Sequence, residues 1–440
     1  MILKRNGRVV PYDRERITNA ISRAANACGK PDYTFAETMA AKVEDAIFAT
    51  YTPETVPSVE DIQDVVENVL MVNGHTTMAR AYIIYRHQRA MARSARSLEF
   101  QVSDMVPYKK IYEILTWNME HECDSIAGIN RVISRGGFRE LAAACEERFE
   151  LEVRDAASGI LARADSVRVV IVAGPSSSGK TTSMIKVSEQ LQRAGLSFKA
   201  INIDHYFYDL VKHPVDEFGD HDYETPEALN LDLINSHIVQ LLEGRTIRTP
   251  NYDFKTGIQT MNVHEMALRP GEILLIDSLH GLYAAMTRDV PQERKFRLYI
   301  ETLGQVRSAN GTFMRWADNR LLRRMLRDRQ HRALQPLDTL THWHYVRRSE
   351  LEHIIAYIRD VDFIVNSAMP YELPILKSKT FRFISNSRKK FEGNPKRLDA
   401  HIRANRVYEF LKPLKPVRDD SVIPPKSLLR EFVGGSAYPY

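Results

Sequence analysis

Two kinds of apolar spacing divide this chain. Up to about residue 95 the apolar residues recur at helical intervals: Ile17, Ile21 and Ala25, then Met39, Val43 and Ile47, then Ile62, Val65, Val66 and Val69. Polar residues punctuate these runs. Asp13 is placed to cap the first helix and Gly29 to end it. Thr34 and Glu37 have the spacing of a capping box before the second helix. Ser58 with Asp61 opens the third, which closes at Gly74, and a fourth runs from Thr76 past Tyr82 and Tyr85 towards Arg96. A strand-like start, Met1 to Tyr12, is broken at the turn pair Asn6-Gly7. Residues 100–165 read as mainly helical, with Gly136-Gly137 as punctuation.

From Val167 the pattern changes to short, mainly apolar runs separated by helical segments. The runs Val167–Val172, Phe198–Ile203, Ile273–Ile276, Phe296–Ile300 and Val361–Val365 are candidate strands. Their alternation with helices predicts an α/β fold with a mostly parallel sheet and flanking helices. The expected organisation is a small, mainly helical domain over 1–95, a helical connector over 96–165, and an α/β domain over 166–440.

Bulk properties narrow the function classes. The 440 residues carry a net charge of +5, too mild by itself to demand a polyanionic partner. Cys28, Cys123 and Cys145 form no C-x-x-C pair, which argues against a zinc ribbon or disulfide framework and suits a reducing compartment. Met1-Ile2-Leu3-Lys4 opens no signal peptide, and no apolar stretch reaches membrane-spanning length, so a cytoplasmic protein with no membrane partner is expected. Basic residues are concentrated, however: Arg315 to Arg332 holds seven arginines.

The candidate chemistry begins at Gly174-Pro175-Ser176-Ser177-Ser178-Gly179-Lys180-Thr181, which fits G-x-x-x-x-G-K-[ST]. An apolar strand precedes it. A helical pattern through Met184, Val187 and Leu191 follows and stops at Gly195. Glycines there let the backbone approach phosphate oxygens, and N–H groups at a helix start point at them. Asp277 ends the apolar run Ile273–Ile276, where a carboxylate can hold Mg²⁺ beside the Thr181 hydroxyl. Asp204 ends another strand candidate, at the edge where ligands of doubly wound sheets bind, and can orient and deprotonate an acceptor hydroxyl. In Asp318–Asp328, Leu321, Leu322, Met325 and Leu326 make an apolar stripe flanked by Arg320, Arg323, Arg324 and Arg327. Such cations suit the charge on a transferred phosphoryl group. A basic RNA-binding helix is the rival, but no aromatic residues stand between these arginines to stack bases.

These residues, in order, resemble the uridine kinase/phosphoribulokinase group of P-loop kinases, with bacterial uridine kinase-like nucleoside kinases the closest in kind. The likeness runs through Gly174–Thr182, Asp204-His205-Tyr206-Phe207, Tyr223 to Leu229, Pro250 to Phe254, Ile276 to Leu282, Asp318–Asp328, Trp343 to Arg348, Asn366-Ser367-Ala368 and the tail Ile423 to Ser436. It covers about residues 165–440 and implies a P-loop NTPase-type sheet with an arginine-rich lid. It further implies that Lys180 and the loop residues Gly174 to Thr182 hold ATP, that Thr181 and Asp277 attend Mg²⁺, and that Asp204 meets the acceptor. Tyr206, Tyr223, Glu224, Tyr252 and Asp253 match positions around the nucleoside. Arg320, Arg324 and Arg327 match the lid, and Trp343, Arg347 and Arg348 fall on the same cleft. Two departures stand out. Asp277-Ser278 replaces the usual Glu-Gly, and Lys255-Thr256-Gly257 stands where several uridine kinases place a pyrimidine-selecting histidine.

The first 95 residues resemble the ATP-cone, the regulatory nucleotide-binding module of ribonucleotide reductases and of a transcriptional repressor. Leu3 to Arg8, Asp13 to Ile17 and Val59 to Gln63 carry that likeness, which implies ATP or dATP held by Lys4, Arg5 and Arg16. Together the readings predict an ATP- and Mg²⁺-dependent kinase of a ribonucleoside 5′-hydroxyl, regulated by nucleotide. A kinase of another small metabolite, such as a sugar phosphate or a phosphorylated acid, keeps the same chemistry. A nucleotide-sensing regulator that binds nucleic acid is the reading from another class; the repressor's zinc-binding cysteines are missing and the acceptor-side motifs are intact. Homo-oligomerisation is left open.

Overall fold

Ile2–Leu3 (β1) and Val9–Val10 (β2) pair antiparallel, Ile2 opposite Val10. The helices Arg14–Ala27, Tyr33–Thr50 and Val59–Val72 follow, and residues 76–83 are helical. Asp13 caps the first, accepting from the Glu15 amide at 3.1 Å. Ser58 and Asp61 form the expected capping box: the Ser58 amide donates to Asp61 Oδ2 at 2.8 Å, and the Asp61 amide to Ser58 Oγ at 3.1 Å. The second helix starts earlier than expected. Asp32, not Thr34, is its cap, accepting from the Phe35 amide at 2.9 Å, while Thr34 is already helical. A carboxylate two residues upstream reaches the free amides of the first turn and leaves the threonine no capping role. Ile21, Ala24, Ala36, Ala40, Val43, Val66 and Leu70 interlock as the core. Each fully buried branched side chain there contributes roughly 1.5–3 kcal/mol.

The computed structural model describes residues 1–4, 9–29, 31–52, 55–83, 107–214, 225–254, 256–331, 335–394 and 397–439. The chain divides into Met1–Asp104 with Ser387–Arg403, and Met105–Asn386 with Ala404–Tyr440. Among the described residues no helix is long and apolar enough to cross a membrane.

The second unit is built on seven strands: Val169–Ala173 (β3), Phe198–Asn202 (β4), Ile247–Asp253 (β5), Ile258–Met266 (β6), Ile273–Asp277 (β7), Lys295–Glu301 (β8) and Phe363–Asn366 (β9). Five form a parallel sheet in the order β4-β7-β3-β8-β9. All five candidate strands fall in this sheet, their ends shifted by a residue or two. The run Val169 to Ala173 is apolar throughout because β3 is central and buried on both faces. The crossover from β3 to β4 goes one way along the sheet and that from β7 to β8 goes the other. The C-terminal ends of the strands beside that reversal form the crevice in which open α/β sheets bind ligands. The strands β5 and β6 make a separate antiparallel hairpin with a register shift between Thr249 and Asn251.

The helices Tyr108–Glu120, Ile126–Ser134 and Phe138–Leu161 belong to this second unit. Phe138–Leu161 buries Cys145, Phe149, Val153, Ala156 and Ile160. Lys110 meets the buried Glu152 carboxylate at 2.6 Å, and Glu152 also accepts from the Asn366 amide at 3.4 Å, tying this layer to the end of β9.

Candidate active site

The chain leaves β3 through Gly174–Gly179 and enters the helix Lys180–Arg193. Gly174 has φ 152° and Gly179 φ 89°, values that disfavour any other residue. Close packing adds to this: a Cβ on Gly174 would stand 2.3 Å from the Ile300 carbonyl oxygen, and one on Gly179 would stand 2.4 Å from Leu428 Cδ1. Ser177 also takes φ 61°. The loop is thus wound tightly ahead of a helix start, the arrangement that turns successive N–H groups towards an anion. The hydroxyls of Ser177 and Ser178 are buried with no hydrogen-bond partner. Buried polar groups left unpaired cost about 1–3 kcal/mol. A polyphosphate fits this cradle chemically, because its oxygens would accept from those hydroxyls.

Lys180 opens the helix. Burial pulls its ammonium pKa below the ordinary value, while the carboxylates of Asp277, Glu431 and Asp204 oppose that pull and Arg327 adds to it. Asp277 is the last residue of β7. Burial pushes its carboxyl up to about 6, Lys180 holds it down, and Asp204 and Glu431 raise it further. These couplings place Lys180, Asp204, Asp277, Glu431 and Arg327 in one electrostatic neighbourhood. Asn202 stands beside Asp277 in the register of β4 on β7, and Asp204 follows two residues later. Asn202, rather than Asp204, caps the short turn Ile203–Tyr206, accepting from the Asp204 amide at 3.0 Å. The Asp204 side chain is exposed at the crevice edge.

The arginine-rich segment forms the helix Trp316–His331, with Leu321, Leu322, Met325 and Leu326 buried as its spacing implies. The four arginines that flank this stripe, however, divide into two pairs. Arg320 and Arg323 have side chains 1% and 0% exposed. Arg320 pairs with Glu350 and, at 2.9 Å, with Glu301, and donates to the Ser176 carbonyl at 3.1 Å. Arg323 forks onto Glu372 at 2.7 and 2.9 Å and donates to the Ser367 carbonyl at 2.7 Å and the Ser178 carbonyl at 3.4 Å. This interior pair braces the loop from behind. Arg320, which the likeness assigns to the lid, is enclosed by protein carboxylates instead. Arg324 and Arg327 stay partly exposed. Arg324 grips Asp328 at 2.7 Å and donates to Ser176 Oγ at 2.6 Å; Arg327 reaches the same oxygen at 3.5 Å. Both therefore sit directly on the loop.

The remaining expected substrate residues are scattered. Tyr206 is fully buried in the core, its hydroxyl 2.8 Å from His237 Nδ1, so its side chain does not line the crevice. Tyr252 packs among rings of Phe207 (5.6 Å), Phe254 (5.0 Å) and His213 (6.2 Å, near-parallel) beside the Asp204 turn, and its amide donates to His205 Nδ1 at 3.3 Å. Asp253 is exposed, and its carbonyl accepts from the Gly257 amide at 2.8 Å. Arg347 pairs with Glu350, the same carboxylate that holds Arg320, and Arg348 lies over the Tyr345 ring. Trp343 is buried. Tyr223 and Glu224 lie outside the described residues, as does Arg5. In the first unit Lys4 is half-buried, and Arg16 is exposed with its guanidinium 3.0 Å from Asp13.

Sequence reasoning missed the carboxylates that organise the arginines: Glu301, Glu350, Glu372 and Glu431. None has a local spacing that marks it. Glu431 accepts from the Thr182 hydroxyl at 2.7 Å across a separation of 249 positions. The signal at hand was the tail Ile423 to Ser436, noted above for its family likeness but given no role, in which Leu428, Leu429 and Phe432 are each fully buried.

Residues 169–370 match the family model described as Phosphoribulokinase / Uridine kinase family, and residues 1–91 match the ATP cone domain. The chain is similar to a uridine kinase of Deinococcus deserti, 29% identical over 198 residues, 45% of this chain and 86% of that protein. A uridine kinase of Halobacterium salinarum is 28% identical over 157 residues, 36% of this chain and 60% of the other. An anaerobic ribonucleoside-triphosphate reductase of Haemophilus influenzae is 32% identical over 136 residues, 29% of this chain and 19% of the reductase.

Proposed function

We propose, for a chain that belongs through residues 169–370 to the Phosphoribulokinase / Uridine kinase family and carries an ATP cone over residues 1–91, transfer of the γ-phosphoryl group of ATP to a ribonucleoside 5′-hydroxyl. The observation that carries this reading is the juxtaposition of a tight phosphate cradle with Asp204 at the opposite lip of the crevice. Lys180 and the loop amides bind the phosphates, and the hydroxyls of Ser177 and Ser178 find in them the acceptors they lack. Thr181 and Asp277 would hold Mg²⁺, which would supply positive charge to neutralise the phosphates.

Asp204 orients the acceptor hydroxyl and takes its proton. The transition state is loose and proton transfer comes late, so the carboxylate's main task is to position the hydroxyl. Arg324 and Arg327 neutralise charge developing on the transferred group and exclude water from it. The Phe254 ring, 64% exposed and packed edge-on against Tyr252 and against Phe207, which follows the Asp204 turn, offers an apolar face for a nucleobase, which favours a nucleoside over a sugar phosphate. Within this division of labour, residues 1–95 sense ATP or dATP, 96–165 support the catalytic unit, and 166–440 perform the transfer.

Incubation with ATP, Mg²⁺ and a panel of ribonucleosides, sugar phosphates and phosphorylated acids tests the reading, with products identified by mass. A nucleoside monophosphate is expected. Turnover of a sugar phosphate with no nucleoside turnover rejects the acceptor, and no turnover of any acceptor by protein that binds ATP rejects the transfer.

A further inference from the structure

The C-terminal segment Ser427–Val433 is built onto the phosphate loop at three points. Leu428 occupies the space that a side chain at Gly179 would need, 2.4 Å from that Cβ position. The Phe432 ring lies 5.1 Å from the guanidinium of Arg323, whose Nη1 donates to the Ser178 carbonyl. Between these apolar contacts stands one charged side chain. Glu431, 5% exposed, accepts from the Thr182 hydroxyl at 2.7 Å through Oε2 and lies 3.7 Å from Arg327 Nη1 through Oε1.

A carboxylate taken out of water is costly unless paired and hydrogen-bonded. Both partners of Glu431 belong to the phosphate site. Thr182 is in the first turn of the loop helix, and Arg327 also reaches Ser176 Oγ. One oxygen thus fixes a hydroxyl at the base of the cradle and the other fixes a cation at its rim. We infer that Glu431 is a positioning residue of the phosphate site, holding Thr182 and Arg327 in the arrangement that receives a nucleotide triphosphate. This rests on the reading of the loop as an ATP site. It adds that the site is incomplete without the chain's last turn of helix, Arg430–Val433.

Binding of Mg²⁺ with the β,γ-imido analogue of ATP, measured by calorimetry on the full chain, tests this without any acceptor. Small displacements of positioned groups cost up to about 100-fold, so Glu431→Ala is expected to weaken analogue binding about 10- to 100-fold. Glu431→Gln keeps an acceptor for Thr182 but loses the ion pair with Arg327, and an intermediate loss is expected. Thr182→Val added to Glu431→Ala is expected to cost less than the two single losses combined, because the residues act through one bond. A purely structural tail would lower the melting temperature of Glu431→Ala and leave affinity within twofold of the parent; that result overturns the assignment. Tighter binding also overturns it, since the carboxylate would then compete with phosphate. If Glu431→Ala does not fold, Glu431→Gln decides by the same twofold criterion. A parent protein that fails to bind the analogue sinks the ATP-site reading itself, whereas a binding parent with an equally binding variant sinks only the role of Glu431.

Discussion

The two lips of the crevice are built on opposite principles. On the phosphate side the side chains that support the loop are buried and paired: Arg320 to Glu301 and Glu350, Arg323 to Glu372, Thr182 to Glu431. On the acceptor side Asp204 is exposed, and the Phe254 ring of the neighbouring cluster is 64% exposed. The physical demands differ. A triphosphate presents the same charge and geometry whatever the acceptor, so a rigid, preorganised cradle serves every member of such a family. Acceptor choice is set by shape and a few contacts, which an open edge can vary without disturbing the cradle. Of the chain's two departures from the uridine kinase pattern, Asp277-Ser278 lies on the phosphate side, and the replacement at residues 255–257 follows Tyr252 and Phe254 in the sequence.

The strongest way to break this contrast is to remove cations from one helix. Arg327→Ala, at the partly exposed rim, is expected to lower turnover by about 10³-fold or more, the range for an arginine acting on a transferred phosphoryl group. Its melting temperature should fall less than that of Arg320→Ala, because Glu431 loses only a 3.7 Å pair and keeps the hydrogen bond from Thr182. Arg320→Ala should do the reverse, destabilising the fold by about 3–5 kcal/mol because Glu301 and Glu350 lose a buried partner. Denaturant unfolding and kinetics on both variants check the pair; equal behaviour of the two would erase the distinction between brace and rim. Asp204→Asn comes next, with an expected loss of about 10²–10⁴ in turnover and unchanged affinity for an ATP analogue. A variant within tenfold of the parent removes Asp204 from the transfer step.

Smaller effects sharpen the acceptor side. Phe254→Ala should raise the KM for a nucleoside by an amount corresponding to about 1–3 kcal/mol of stacking and leave the KM for ATP unchanged. Equal shifts in both constants would place the ring outside the acceptor site. The smallest expected effect lies beneath the cradle. Burial raises the Glu146 carboxyl above its ordinary pKa, while hydrogen bonds from Ser427 and Tyr371 partly offset that. For a raised carboxyl the penalty is absent below the ordinary value near 4.5 and sets in as pH rises through the folded value. Glu146→Gln keeps an acceptor for both hydroxyls and never ionises. Its gain in melting temperature over the parent should be larger at pH 7.5 than at pH 4.5, and a gain independent of pH would contradict the buried-carboxylate reading.

Much of this was legible locally. Mainly apolar runs marked all five strands of the sheet; the central strand β3 is buried on both faces and leaves no room for alternation, whereas β4, at the edge, buries only Ile201. Asp13 and the Ser58–Asp61 pair marked helix starts because caps act within three residues. The second helix shows the limit: Asp32 and Thr34 both have capping chemistry, and only backbone geometry chose between them. Tyr206 shows another. It sits within a motif that carries the acceptor carboxylate, yet one turn of tight helix sends its ring into the core towards His237.

From its order of residues alone this chain determined a parallel sheet, a phosphate loop between strand and helix, and an arginine helix with an apolar stripe. Those features depend on neighbours a few positions apart, and spacing encodes them directly. Tertiary structure alone decided which arginines are buried behind the loop and which stay partly exposed on it, and that Glu431 reaches Thr182. A charge placed in the interior takes its role from whichever partner meets it there, and for these residues the partners come from β8, the helices beyond it and the final turn of the chain.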